Sequence, residues 1–201
     1  MSAPEGRHAP GDKRAAPAGI SCASLQADII ELAALRERTQ VLKALAARRG
    51  LPFPALGCAA AARDTLLLSV RPERWLVLCA PATPGATLAD WRRACTGCAA
   101  TIELSSALTA LYLTGPAVPE VLARGCRLDL HPAAFAPGSA AASSMAQVPV
   151  TIAALSAGWL LLTPASTARH FSEWLTATAG PFGFTGAAGV TVASLTGERT
   201  P

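Results

Sequence analysis

The sequence predicts an α+β fold, a mostly antiparallel sheet with helices packed on it. Three observations carry this. Apolar runs of strand length are joined by hairpin-length turns, whereas parallel strands need long crossovers. Helical patterns recur after strands and hairpins along the chain. The 201 residues suffice for one ordinary domain with a sizeable core. The expected organisation is an arm over 1–19, one domain over 20–183 and a flexible tail over 184–201.

The arm is rich in Pro, Gly, Ala and charge and lacks the apolar patterning of a core, so it reads as disordered. A strand is expected over 25–32. A helix over 36–49 places Val41, Leu42 and Leu45 inward and stops at Gly50. Leu51-Pro52-Phe53-Pro54 is extended, because each Pro biases its predecessor toward β space. Strands over 65–70 and 74–79 flank the short turn Arg71-Pro72-Glu73. A helix over 87–98 opens with a Thr87-x-x-Asp90 box. Strands over 101–104 and 109–114 follow.

GPAVPEVLARGCRLDL (115–130) reads as a helix with both ends written into it. Gly115 is the expected N-cap and Pro116 the first helical residue, where its missing N–H costs nothing. Val118, Val121 and Leu122 share one face, and Glu120 and Arg124 match the dipole at each end. Gly125 is expected to stop the helix in the left-handed conformation. Strands over 140–146, 148–154 and 159–163 come next. Thr163 then caps, and Pro164 opens, a helix through Ala179 with Ala168, Phe171, Trp174 and Leu175 inward. The Gly- and Thr-rich remainder reads as a loose tail.

Hydrophobic residues make up 51% of the chain and charged residues 15%. A surface this poor in charge suits a subunit partly buried against partners, and an alanine-rich composition alone accounts for it equally well. The net charge is +4, with much of the surplus in the arm and in Arg36, Arg38, Lys43, Arg48 and Arg49. With one Tyr in the chain and no aromatics among these basic residues, the pattern offers no stacking platform, so no nucleic-acid partner is expected. Apolar runs are strand-sized, so no membrane partner is expected either. The N-terminus has no apolar signal core, and six cysteines without one read as reduced thiols in the cytoplasm.

Four motifs invite chemistry. Cys95-Thr96-Gly97-Cys98 falls at the end of a helix, where the dipole raises a thiol pKa instead of lowering it, and no second ligand pair completes a zinc site. Cys79 and Cys126 read as apolar fillers, while Cys22 and Cys58 lie in segments too irregular to assign. Asp129-x-His131 could orient an imidazole, but no nucleophile elbow accompanies it, and Asp129 reads as a turn brace. GFTGAAG (183–189) lacks the spacing and strand–helix setting of a dinucleotide loop. No carboxylate pair stands out. The expected catalytic, cofactor-binding and metal residues on this chain are therefore none.

The 115–130 segment also resembles the gamma subunit family of heterotetrameric sarcosine oxidase, through a G-x-A near a helix start followed by GCxLDL. RPERWLVL (71–78), Ile102-Glu103-Leu104-Ser105, Ser143 before a hydrophobic strand over 148–152, and FSEWL (171–175) continue the resemblance in the same order. It covers about 25–183. Ser143 stands where the family usually has Thr. Ser106 and Ala107 stand where a His or Arg is expected, and the tail has no counterpart.

The resemblance implies ferredoxin-like elements similar to the folate-binding domain of aminomethyltransferases. It also implies a structural subunit beside an alpha subunit (NAD and tetrahydrofolate), a beta subunit (FAD and FMN) and a delta subunit (zinc). That complex demethylates sarcosine to glycine, passes the one-carbon unit to tetrahydrofolate and forms hydrogen peroxide. The alternatives are a stand-alone folate-binding or tRNA-modifying relative of the same fold, or an accessory subunit of another amine-oxidising flavoenzyme.

Overall fold

Alternation of apolar residues along the strands divides the molecule into layers. In the computed structural model, which describes residues 19–196, Leu66 and Leu68 face one way and Leu67 the other. The same holds for Leu76 and Leu78 against Trp75 and Val77. A strand that is apolar on both faces must be covered on both. One cover is a second sheet and the other is a pair of helices.

The chain opens with β1 (Ile20–Gln26) and β2 (Asp28–Ala34), then α1 (Thr39–Arg48). The strands β3 (Cys58–Ala62), β4 (Thr65–Arg71) and β5 (Arg74–Cys79) lead to α2 (Ala86–Ala94). β6 (Ala99–Glu103) and β7 (Leu108–Thr114) precede α3 (Val118–Ala123). β8 (Ala140–Met145), β9 (Val148–Leu155) and β10 (Gly158–Pro164) form a meander before α4 (Ala168–Ala179). The described chain closes with β11 (Phe184–Gly186), β12 (Val190–Thr191) and α5 (Val192–Thr196).

One sheet runs β11-β1-β7-β10-β9-β8, with β12 also on β1; the other runs β3-β4-β5-β2-β6. Every pairing is antiparallel except those of β11 and β12 with β1. Between the sheets lie Leu66, Leu68, Leu76 and Leu78 against Tyr112, Leu160 and Leu162. Outside the first sheet, Val118, Val121 and Leu122 of α3 and Phe171 and Leu175 of α4 cover Leu113, Ile152 and Leu161. Outside the second, Leu42 of α1 and Trp91 of α2 cover Ile30, Leu32, Leu67 and Val77. Burying a Leu or Phe side chain is worth about 1.5–3 kcal/mol, so these three cores hold the four layers together.

Several expectations are corrected. The strand expected over 25–32 is two strands in different sheets, parted at Ala27. In α1, Val41 is exposed while Leu42 and Ala46 are buried. β3 was not foreseen, because a run of alanines carries no periodicity. The Thr87 box does not form: α2 is capped by Gly85, with φ +77°. The Thr87 hydroxyl instead donates to Asp28 Oδ2 at 2.5 Å, and Asp90 accepts from Arg49.

α3 begins two residues later than Pro116, with Ala117 at its cap and Pro119 in its first turn. Gly115, at φ +123°, serves the approach of the backbone instead: a Cβ there would collide with the Gly19 carbonyl oxygen. Thr163 lies buried within β10 and caps nothing, and a 3-10 turn over Ala165–Thr167 precedes α4.

The expected tail over 184–201 is overturned as far as 196. β11 and β12 extend the first sheet beside β1, and Val192 and Leu195 are buried between the sheets. The ladder compensates for the glycines: Thr185 Oγ1 donates to the Ile20 carbonyl, and Ala187 N–H to that of Cys22. The arm over 1–18 and residues 197–201 lie outside the described residues.

Candidate functional site

The cysteine pair sits where the helix pattern placed it, just past α2. Cys95 is the C-terminal cap, both thiols are buried, and Cys98 Sγ donates to the Cys95 carbonyl at 3.3 Å. Burial pushes the Cys95 thiol up to about 11, with the neighbouring Cys98 adding to the shift. A thiol held neutral in a core packs; it does not attack. Cys79, the last residue of β5 and paired with Asp28 of β2, is also raised to about 11, first by burial and then by Asp28. Cys22 is raised by burial. All six cysteines are free, and no group of three His, Cys, Asp or Glu could hold a metal among the described residues.

Asp129 and His131 build a turn. Asp129 Oδ1 accepts from the His131 N–H at 2.9 Å, and the imidazole Nδ1 accepts from the Ala133 N–H at 3.2 Å. One ring nitrogen is thereby committed to backbone. The glycines of 183–189 lie in and around β11.

Three of the hollows among the described residues have room for water. One of about 270 Å³ is lined mainly by alanines, leucines and Pro137 between β3 and α5. A second, about 370 Å³, opens beside Arg49, Arg63 and Asp90. Two of its charged groups engage each other: Arg49 bridges to Asp90 at 2.7 Å, stacks 4.8 Å from the Trp91 ring centroid, and holds the Asp90 carboxyl below its usual range. The third, about 340 Å³, lies beside Arg71, Ser143 and Thr151.

One polar cluster was missed in the sequence. Glu31, buried in the middle of an apolar strand, accepts from Arg71 at 2.8 Å and from Arg74 at 2.5 Å. A lone Glu within DIIELAA, opposite a strand pair carrying Arg71-x-x-Arg74, was the available signal. The doubled guanidinium satisfies the carboxylate, so the cluster ties β2 to the β4–β5 hairpin.

The segments carrying the family resemblance are mostly packing segments, although Arg71 and Ser143 also line the third hollow. Trp75 Nε1 donates to the Pro54 carbonyl at 3.1 Å beneath α1. Ser105 Oγ accepts from the Ile29 N–H at 3.0 Å, fixing the crossing from β6 to β7. Cys126 bridges to Met145 at the edge of β8, and its Sγ lies 3.6 Å from Ser143 Oγ. Gly125 lies under Trp174 of α4. It has no positive φ, contrary to the helix-stop expectation. A Cβ there would strike the Trp174 ring and lie 3.1 Å from Met145 Cγ.

The sequence profile of the sarcosine oxidase gamma subunit family matches residues 39–180. The chain belongs to this family. Among its relatives, the sarcosine oxidase subunit gamma of Arthrobacter sp. is 34% identical over 129 residues, 63% of this chain and 62% of the relative. That of Corynebacterium sp. (strain P-1) is 33% identical over a stretch of the same length. The matched stretch thus spans about 62% of the length of these gamma subunits.

In three dimensions the chain is similar to one in the heterotetrameric sarcosine oxidase from Corynebacterium sp. U-96, solved in complex with pyrrole 2-carboxylate. The TM-score is 0.72 at 28% identity, over 86% of this chain and 88% of that one. It shares its fold with half of the glycine cleavage system aminomethyltransferase T from Bartonella henselae. There the TM-score is 0.58 at 16% identity, over 90% of this chain and 50% of that one. The expected aminomethyltransferase-like α+β class is therefore correct. No helix among the described residues is long and apolar enough to cross a membrane.

Proposed function

We propose that this chain is the gamma subunit of a heterotetrameric sarcosine oxidase, and that its part there is structural: packing surface and assembly. One observation carries the reading. The segments that mark the family fill cores and turns: Trp75, Ser105 and Asp129 bond to backbone, Arg71 and Arg74 tie the sheet together through Glu31, and Cys126 packs against the edge of β8. In this reading FAD, FMN, NAD, zinc and tetrahydrofolate belong to the alpha, beta and delta subunits. The complex converts sarcosine to glycine, transfers the one-carbon unit to tetrahydrofolate and reduces oxygen to hydrogen peroxide. A cytoplasmic location goes with it.

Purification alone and with the other three subunits of the host's sarcosine oxidase tests this. The chain alone should show no flavin absorbance and no sarcosine-dependent peroxide. Together, the four should elute as one stoichiometric, active complex. Flavin bound to the chain alone, or full assembly and activity of the other three without it, would overturn the reading.

A further inference from the structure

β6 is the bare edge of the second sheet. It pairs with β2 alone. The edge of β3 meets Gly138 and Ser139, and that of β8 meets Cys126. The register decides which groups of β6 face outward. Leu35 N–H donates to the Cys98 carbonyl and Leu104 N–H to that of Ile29. Residues 98, 100, 102 and 104 therefore turn their backbone groups to β2, and antiparallel alternation turns those of Thr101 and Glu103 away. Neither N–H meets an acceptor among the described residues.

On the face that turns toward the first sheet, the side chains beside this edge are apolar apart from Glu31, the cross-strand partner of Ile102. Ala33 and Leu35 share a face with Ala100 and Ile102, beyond the part of the sheet that the first sheet covers. Leu35 is 44% and Ile102 46% exposed. Edge strands are normally blunted by charged side chains, Pro, a bulge or a cover, and Ala-Ala-Thr-Ile-Glu carries only the one charge of Glu103, at its last residue.

The surroundings are cationic. Arg36 and Arg38 follow Leu35, Arg92 and Arg93 close α2 against β6, and Arg71 and Arg74 share one carboxylate, that of Glu31; all six are exposed. Glu37, Glu73 and Glu103 offset them only in part. A second copy would bring these arginines against themselves, whereas an acidic strand would meet complementary charge.

We propose that β6 is the docking edge for an acidic, extended segment of a partner subunit. The segment adds as a strand beside Thr101 and Glu103 and lays an apolar side chain on Ile102. This rests on the subunit reading.

The test is reconstitution with the other three subunits. Thr101→Pro removes an outward N–H that the chain's own sheet does not use. The full-length variant should melt with the parent, yet its complex yield should fall at least tenfold. Leu56→Asp, at an exposed site away from β6, should leave the yield unchanged.

Hydrogen exchange on the unmodified chain answers independently of how the variant folds. The Thr101 and Glu103 amides should slow at least a hundredfold on assembly. Unchanged exchange, full yield for folded Thr101→Pro, or concentration-dependent dimerisation of the chain alone through this edge would overturn the docking proposal while leaving the subunit reading intact. Failure of the unmodified chain to join the complex overturns the subunit reading and the docking edge with it.

Discussion

The helices α2 and α3 both run out into a glycine, and the two glycines are there for different reasons. Past α2, Gly97 has φ +75° and open space around the position of its missing Cβ. It is kept for its backbone conformation. Past α3, Gly125 has an ordinary backbone, with Trp174 and Met145 where a side chain would be. It is kept for what must approach it. A glycine after a helical pattern thus announces an end without disclosing its cause, and the cause decides which substitutions matter.

The largest effect should come from Gly125→Ala. Alanine suits the backbone there, so the left-handed explanation forecasts almost nothing, whereas the contact explanation forecasts overpacking of about 1–3 kcal/mol. Chemical denaturation of the isolated chain decides. Combining it with Trp174→Leu should cost less than the sum of the two single changes, since the shorter side chain vacates the collision. Additive losses would mean the glycine serves something other than the tryptophan.

Gly97→Ala should cost about 1 kcal/mol through the backbone alone, and no neighbouring substitution should rescue it. A rescuer would erase the contrast between the two stops.

The smallest effect concerns Cys95, two residues before Gly97. Cys95 holds its proton to about 11 when folded, against an ordinary value of 9.0. The folded state therefore binds the proton more tightly. Its contribution is complete below pH 9 and is lost as pH climbs through 11. The melting temperature should decline across that window, and less steeply in Cys95→Ala. Identical slopes would show that other groups govern alkaline unfolding.

The sequence was most legible where side chains alternate or repeat. The β4–β5 hairpin and the buried face of α3 follow from spacing alone, because Leu66, Leu68, Val118, Val121 and Leu122 each have only one way to be covered. It was least legible where backbone pairing decides. Ala59 to Ala61 offer no pattern, yet β4 recruits them as a strand. The glycines around β11 look like a tail until β1 supplies a ladder. Helix starts differ from expectation at Thr87, whose hydroxyl found Asp28, 59 residues away in sequence, and at Thr163, which stays within β10 with its buried hydroxyl unpartnered. Glu31 escaped notice because its two arginine partners come from another hairpin.

The pairing of β1 with β11 has a consequence for synthesis. Ile20 is among the first residues of the fold to be made, and its partner in the ladder is Phe184. At about 5–20 residues per second, that neighbour arrives roughly 8–30 s later. Throughout the wait β1 can be sheltered on one side by β7 but on the other by nothing of its own. A nascent chain is thus open to wrong strand pairing at that edge until β11 has been made, and a chain cut short before Phe184 would stay open for good.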